Sequence, residues 1–249
     1  MMLVLAPSYK RANGLLTHKV IPGTIYCVHE FEAEEYRQQG VQVLEMPDSI
    51  RGNIARVRNW LIEWALEHGH KRILLTDDDL KQFKAYWRTS GATAIVGEAA
   101  LERIEHCFEI AEQWGVALWG VNCVSDKGGY REYTPFSCKS YCSASFHGLN
   151  LTRLQELRYD ERLPLKEDYD MCLQVLNRDR KLLRFNMLHM VKDDHANMGG
   201  CAMYRNIAKE NQQMDLLIRK WGERIVSRDL KSRELCDINP IVRPPVPGI

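Results

Sequence analysis

Three consecutive acids, Asp77, Asp78 and Asp79, end the stretch RILLTDDD directly after the apolar residues Ile73, Leu74 and Leu75. Adjacent carboxylates repel, and each stays ionised only beside water, a cation or a hydrogen-bond donor. A hard divalent cation such as Mg2+ or Mn2+, bridging to a diphosphate, would offset that repulsion and act as a Lewis acid toward a departing phosphate. A turn whose acids simply face solvent has the same composition, so the run alone leaves both readings open. A second acidic group, Glu167, Asp168 and Asp170 in LPLKEDYDM, stands far off in sequence. Sugar transfer with inversion uses one carboxylate to deprotonate an acceptor hydroxyl while a cation takes the leaving-group charge, and two acid sites divide that work. His195, in VKDDHAN, joins carboxylates in a donor set that suits Mn2+, or is an ordinary polar loop residue. NIARVRN places Asn53, Arg56, Arg58 and Asn59 at the front of a helix, where they either meet a phosphate or a nucleobase edge or line a solvated face.

The elements that must position these groups follow from hydrophobic patterning. Short apolar runs (LVLAP, TIYCVH, VQVLEMP, RILLT) alternate with amphipathic segments (FEAEEYRQQG, then NIARVRNWLIEWALEHG). Strand-sized runs interleaved with helices predict an α/β fold with a parallel sheet and right-handed crossovers. Ligands of such sheets bind at the C-terminal ends of the strands, where the triple Asp falls. Ile54, Val57, Leu61, Trp64, Ala65 and Leu66 form the apolar stripe of the longest of these helices, and Gly69 stands where a glycine would end it. Further on, 97–115 reads as a helix, 116–123 as a strand and 125–136 as a hairpin or loop. A strand over 140–151, a helix over 167–178, a strand over 181–191 and a polar loop over 193–201 come next. A helix from about Tyr204 to Arg228, with Ile207, Met214, Leu217, Ile218, Trp221 and Ile225 inward, precedes a Pro-rich tail. Neither repeat nor linker is evident, so one domain spanning 1–249 is expected.

Composition sets outer bounds. The 249 residues are 45 % hydrophobic and 27 % charged, enough for a sizeable core without covalent staples. The eight cysteines form no CxxC pair and read as reduced core thiols, and the apolar start lacks a basic leader. No apolar run approaches the roughly 20 residues of a membrane span, so a cytoplasmic protein is expected. The net charge is +1, but residues 1–175 carry 20 Lys/Arg against 24 Asp/Glu while 176–249 carry 14 against 9. The basic end either faces phosphate or is a solvated surface.

The ordered set of PSYKR after the first strand, the Arg- and Asn-rich helix start, a strand ending in TDDD, an ED-containing helix and a downstream His resembles the GT-A type of nucleotide-sugar glycosyltransferase. More narrowly, MPDSIRGNIARVRNWLIEWALEHGHKRILLTDDDL and KEDYDMCLQ resemble the TET-associated glycosyltransferases, encoded largely by phages and associated with glycosylation of hydroxymethylated DNA bases. The resemblance implies a mixed, mostly parallel Rossmann-like sheet flanked by helices. It implies Mn2+ or Mg2+, a nucleotide-sugar donor of the UDP class, and DNA carrying 5-hydroxymethylcytosine as acceptor, handled in the host cytoplasm if the gene is a phage's. Pro7, Ser8, Tyr9 and Arg11 match the nucleotide loop, to which Asn53, Arg56 and Arg58 add contacts. Asp77 matches the acid near the ribose and Asp79 the metal acid, with Asp78 able to replace either, and His195 matches the downstream metal ligand. Asp168 matches the base of inverting members, with Glu167 as the substitute; in a retaining enzyme Asp168 would orient the acceptor instead. Tyr130, Tyr133, Phe136, Tyr141 and Phe146 would then stack a base or sugar, or else form the buried face of a hairpin, and Lys127, Arg131 and Lys139 would meet phosphates. Two alternatives stay open: a protein or glycan hydroxyl as acceptor, and a metal-dependent phosphodiesterase or nuclease.

Overall fold

The structure, a computed structural model, describes residues 2–86, 91–123, 130, 133–192, 205–229 and 238–244. Its first half is a run of β–α units. Strand β1 (Leu3–Pro7) is followed by the single turn α1 (Thr17–Val20), β2 (Ile25–His29), α2 (Ala33–Arg37), β3 (Gln42–Met46), α3 (Ile54–Glu67) and β4 (Arg72–Thr76). These four strands pair in parallel, in the order β3-β2-β1-β4. The rest of the chain mixes directions. After β4 come β5 (Leu80–Tyr86), β6 (Ala92–Ala94), α4 (Glu98–Gln113), β7 (Leu118–Asn122), the two-residue β8 (Phe136–Ser137), β9 (Phe146–Asn150), α5 (Leu151–Leu154), α6 (Glu167–Asp179) and β10 (Leu183–Lys192). Strand β9 enters antiparallel between β4 and β7, and β10 runs parallel to β7 and antiparallel to β5. Strand β6 pairs antiparallel with β5, so seven strands (β1 to β4, β6, β7 and β10) point the same way, and the result is the mixed, mostly parallel sheet flanked by helices that the resemblance implies.

Alternation along the strands sorts the core into two layers. Leu5, Ile73 and Leu75 face a layer built with Ala55, Leu61 and Ile62 of α3 and Met171 and Val175 of α6, whereas Val4 and Leu74 face Ile104 and Phe108 of α4. Phe146 lies in this second layer and Phe136 packs against it, so two of the five aromatics expected at the acceptor are core residues. Gly148 is required where Trp119 crosses β9, since a Cβ there would stand 2.1 Å from the indole Nε1.

Three expectations are corrected. Strand β5 has no counterpart in the sequence reading, because Leu80 and Phe83 are three residues apart and break the two-residue strand period. The strand over 140–151 shrinks to β9, its first half being irregular backbone. The C-terminal helix is α7 (Ile207–Trp221), ended by Gly222 at φ +87°, and Ile225 belongs to the approach to β11 (Val226–Arg228). Part of the Pro-rich tail forms β12 (Pro240–Val242), which pairs with β11, and Ile207 is 48 % exposed rather than inward. Among the described residues no helix is long and apolar enough to cross a membrane.

Candidate active site

Because β1, β4, β7 and β10 point the same way, the segments that follow them meet at one edge: Ser8 to Arg11 after β1, Asp77 to Asp79 after β4, Cys123 after β7 and Lys192 at the end of β10. The three acids are met by two cations, Arg11 and Lys192. Asp78, 3 % exposed, accepts a hydrogen bond from the Ser8 hydroxyl and pairs with Arg11 Nη1 at 3.1 Å. Asp79 meets the same Nη1 at 3.3 Å through Oδ2, while its buried Oδ1 has no hydrogen-bond partner among the described residues. Asp77 lies 3.3 Å from Lys192 Nζ, and its backbone N–H donates to Ser145 O. Two cations thus answer the repulsion that the sequence poses. Burial would raise the Asp77 carboxyl, but Lys192, Arg58 and the Ser145 hydroxyl outweigh it and hold it below the usual range. Asp78 is raised by burial, against Ser8 and Arg11. Asp79 is pushed up to about 7 by burial and then by the charges of Asp77 and Asp78.

The loop after β1 is pinned from below. The Tyr36 hydroxyl lies 2.7 Å from Ser8 Oγ and accepts from the Arg11 N–H, and the Lys10 N–H donates to Glu32. This clamp holds Lys10 at φ +56°, a left-handed conformation that costs a non-glycine residue about 1 kcal/mol or more. Tyr9 projects onto an aromatic group, edge-on to His29 at 5.8 Å and to Phe31 at 6.2 Å, with the Arg51 guanidinium 5.3 Å from the Phe31 ring centre. Pro7 is the last residue of β1, in register with Cys27.

At the front of α3 the side chains already have protein partners. Asn53 caps the helix, accepting from the N–H groups of Ala55 and Arg56, and donates to Glu161 O. Arg56 pairs with Glu161 at the surface, 2.9 Å away. Arg58 is buried and ion-paired with Glu167, its guanidinium 5.6 Å from the Tyr159 ring centre. Burial alone would lower the Arg58 pKa, but the charges of Glu167, Tyr159, Asp77 and Asp168 hold it above the usual value. Burial pushes the Glu167 carboxyl up while Arg58 opposes it. A neutral Glu167 would strand a charged, buried guanidinium, so the pair is ionic.

Asp168 faces a different neighbour. Its Oδ2 accepts from the Tyr141 hydroxyl and from the Ala144 N–H at 3.3 Å, and its Oδ1 accepts from the Tyr169 N–H at 2.8 Å. Tyr141 stacks on Tyr169 at 4.0 Å, which leaves it as the holder of this carboxylate rather than a free platform. Beneath lies His147, whose Nε2 is 2.6 Å from the Tyr159 hydroxyl and whose Nδ1 is 3.2 Å from Ser143 O. Both clusters rest on the turn just before β9, where the Ala144 N–H donates to Asp168 and Ser145 O accepts from the Asp77 N–H. The two acid clusters, about ninety residues apart in sequence, therefore share one edge and one turn.

His195, Lys127 and Arg131 lie outside the described residues, and Tyr133 is 75 % exposed. Among the described residues no three His, Cys, Asp or Glu side chains are gathered as a metal cluster. The buried Oδ1 of Asp79, which has no hydrogen-bond partner among the described residues, nevertheless fits a hard cation in its donor chemistry. Lys192, Tyr36, Ser145 and His147 were not selected from sequence. Lys192 had one available signal, its place at the end of a strand directly before the DDH run.

A family model described as TET-Associated Glycosyltransferase matches residues 2–200. The chain belongs to this family. It is thus a glycosyltransferase that takes its sugar from a nucleotide-sugar donor and acts on modified DNA bases. No curated protein matches the sequence significantly. Among solved structures, a mycobacterial protein superposes with a TM-score of 0.52 at 9 % identity, covering 98 % of this chain and 84 % of that one. A197 from STIV (TM-score 0.43, 10 % identity, 80 % of this chain and 88 % of that one) and residues 1–349 of S. aureus TarS (0.42, 14 %, 78 % and 58 %) are more distant. At these identities the likeness concerns the fold alone; the GT-A-like fold of the glycosyltransferase stands on its mixed, mostly parallel sheet and its family.

Proposed function

We propose that this glycosyltransferase moves a sugar from a UDP-sugar to the hydroxyl of 5-hydroxymethylcytosine in DNA, with Asp168 as the base and the edge formed by Ser8, Arg11 and Asp77 to Asp79 as the donor site, all within one domain. The observation that carries this reading is the convergence of the two acid clusters on adjacent residues, Ala144 donating to Asp168 and Ser145 accepting from the Asp77 N–H. Asp168 takes the proton of the acceptor hydroxyl; the freed oxygen attacks the anomeric carbon, the bond to the diphosphate breaks, and the nucleotide leaves with the electron pair. The Tyr141 hydroxyl and the Ala144 N–H hold one carboxylate oxygen and so fix its orientation. Asp79 and Asp77, with His195, would hold a Mn2+ or Mg2+ ion, which when bound neutralises charge on the donor diphosphate. Pro7, Ser8, Tyr9 and Arg11 would surround the nucleotide, with Tyr9 offering a ring face to the base. Arg58 supports the site through Glu167, and Asn53 and Arg56 would reach the donor only by exchanging their present partners. The target cytosine leaves its stack to present the hydroxyl.

The reading is tested by thermal shift with UDP-, GDP- and ADP-sugars, with and without Mn2+, since a ligand bound only by the native form raises apparent stability. A UDP-sugar should raise the melting temperature most, and only with the metal. Asp168→Asn should keep that shift and lose transfer to hydroxymethylated duplex, whereas Asp79→Asn should lose the metal-dependent shift. Undiminished transfer by Asp168→Asn would refute the base assignment, and full activity in excess chelator would refute the metal.

A further inference from the structure

We infer that α7 is a brace for the acid-bearing turn of α6, with Glu210 and Lys166 acting as positioning residues for the Asp168 carboxylate. The inference rests on the assignment of Asp168 as the base. Three carboxylates, Glu167, Asp168 and Asp170, crowd the first turn of α6, and its N-cap residue, Lys166, makes no side-chain cap. At about 100° per residue they project in three directions, so each needs a partner on a different neighbour. Glu167 goes to Arg58 on α3, and Asp168 goes to Tyr141 and Ala144 ahead of β9. The third side belongs to α7. Asp170, fully buried, accepts from Trp221 Nε1 at 2.8 Å and pairs with Lys220 Nζ at 2.8 Å. Lys166, 1 % exposed, pairs with Glu210 at 2.6 Å, and Glu210 is itself completely buried.

An ion pair this deep is a poor source of stability, because desolvation offsets its attraction, but it fixes geometry, since pulling its two charges apart in the interior is costly, and Arg205 Nε, 3.2 Å from Glu210, holds the carboxylate from its other side. Two such links from a single helix, at Glu210 and at Lys220 with Trp221, bracket the turn from Lys166 to Asp170. The rotation of α6 about its axis, and with it the aim of Asp168, is therefore set by α7. The Gln213 amide adds a third tie, donating to Arg162 O at 2.9 Å. All these α7 residues lie beyond the 2–200 stretch matched by the family model, so the matched portion alone lacks one side of the clamp.

The test uses the full chain and two variants, Glu210→Gln and the milder Trp221→Phe. Misplacement of a catalytic group by about 1 Å costs about 100-fold in rate, so kcat for transfer to hydroxymethylated duplex should fall about 10- to 100-fold in Glu210→Gln and by a few-fold in Trp221→Phe. The donor KM and the donor-induced melting shift should stay at parental values. A loss that merely reflected less folded enzyme would lower donor binding and transfer in the same proportion, and that result overturns the brace. Parental kcat in both variants, measured where the native state is fully populated, overturns it equally. Asp168→Asn in parallel separates the two claims: if it transfers normally the base assignment has failed, and if it is inactive while both α7 variants are normal only the brace has.

Discussion

Replacing Arg58 with methionine should be among the most destabilising single changes available in this protein. The Arg58 and Glu167 side chains are 7 % and 9 % exposed, and the guanidinium also sits over Tyr159. Removing one partner of a buried pair costs about 3–5 kcal/mol, chiefly because the other charge is left unpaired, and the lost cation–π contact adds about 0.5–1 kcal/mol. Urea unfolding followed by tryptophan fluorescence, with a slope of about 2–3 kcal/mol per M, should show the midpoint falling by about 1–3 M. The double variant Arg58→Met with Glu167→Leu removes both charges and should recover most of the loss. In the single variant Glu167 no longer has an opposing cation, so burial raises its folded pKa above the unfolded one. The folded state then binds the proton more tightly, and the deficit should shrink as pH is lowered from 8 to 5. A single-variant cost under about 1 kcal/mol, or a double variant as unstable as the two singles summed, would refute the reasoning.

Two further outcomes follow from buried groups. His147 is completely enclosed, and burial, then the nearby Arg58 charge, push its pKa down to about 3 from 6.5, against the Ser143 carbonyl and Asp77, which favour protonation. The unfolded chain takes up this proton below about pH 6.5 while the folded chain does not, so stability is lost as pH falls through that window, by up to about 1.4 kcal/mol per unit. His147→Gln should flatten the pH dependence of the urea midpoint by about one proton, and an unchanged slope would contradict the assignment. Gly148→Ala places a methyl group 2.1 Å from Trp119 Nε1, in a site closed by Phe108, Phe146 and Phe185, and should cost at least the 1–3 kcal/mol of overpacking. Calorimetry showing a melting temperature within about 2 °C of the parent would mean the sheet yields there.

The sequence alone determined β1 to β4 with α2 and α3 between them, because each carries its own hydrophobic period, whereas the single turn α1 has no such pattern. The acids at the end of β4 and at the start of α6 were legible for the same reason: charge where an apolar pattern stops is a local signal. Which partner each acid takes was not local. Arg58 reads as an exposed helix-front cation, yet in the fold Glu167, 109 residues away, faces it inside the core. Tyr141 reads as a stacking platform, yet it holds Asp168; Lys192 reads as one more charge before a polar run, yet it neutralises Asp77. Strand β9, inserted antiparallel between β4 and β7, is what brings Ser143 to His147 beneath both acid clusters. Burial and pairing are properties of the space between elements, and only the packing of the whole chain decides how a charge there is met.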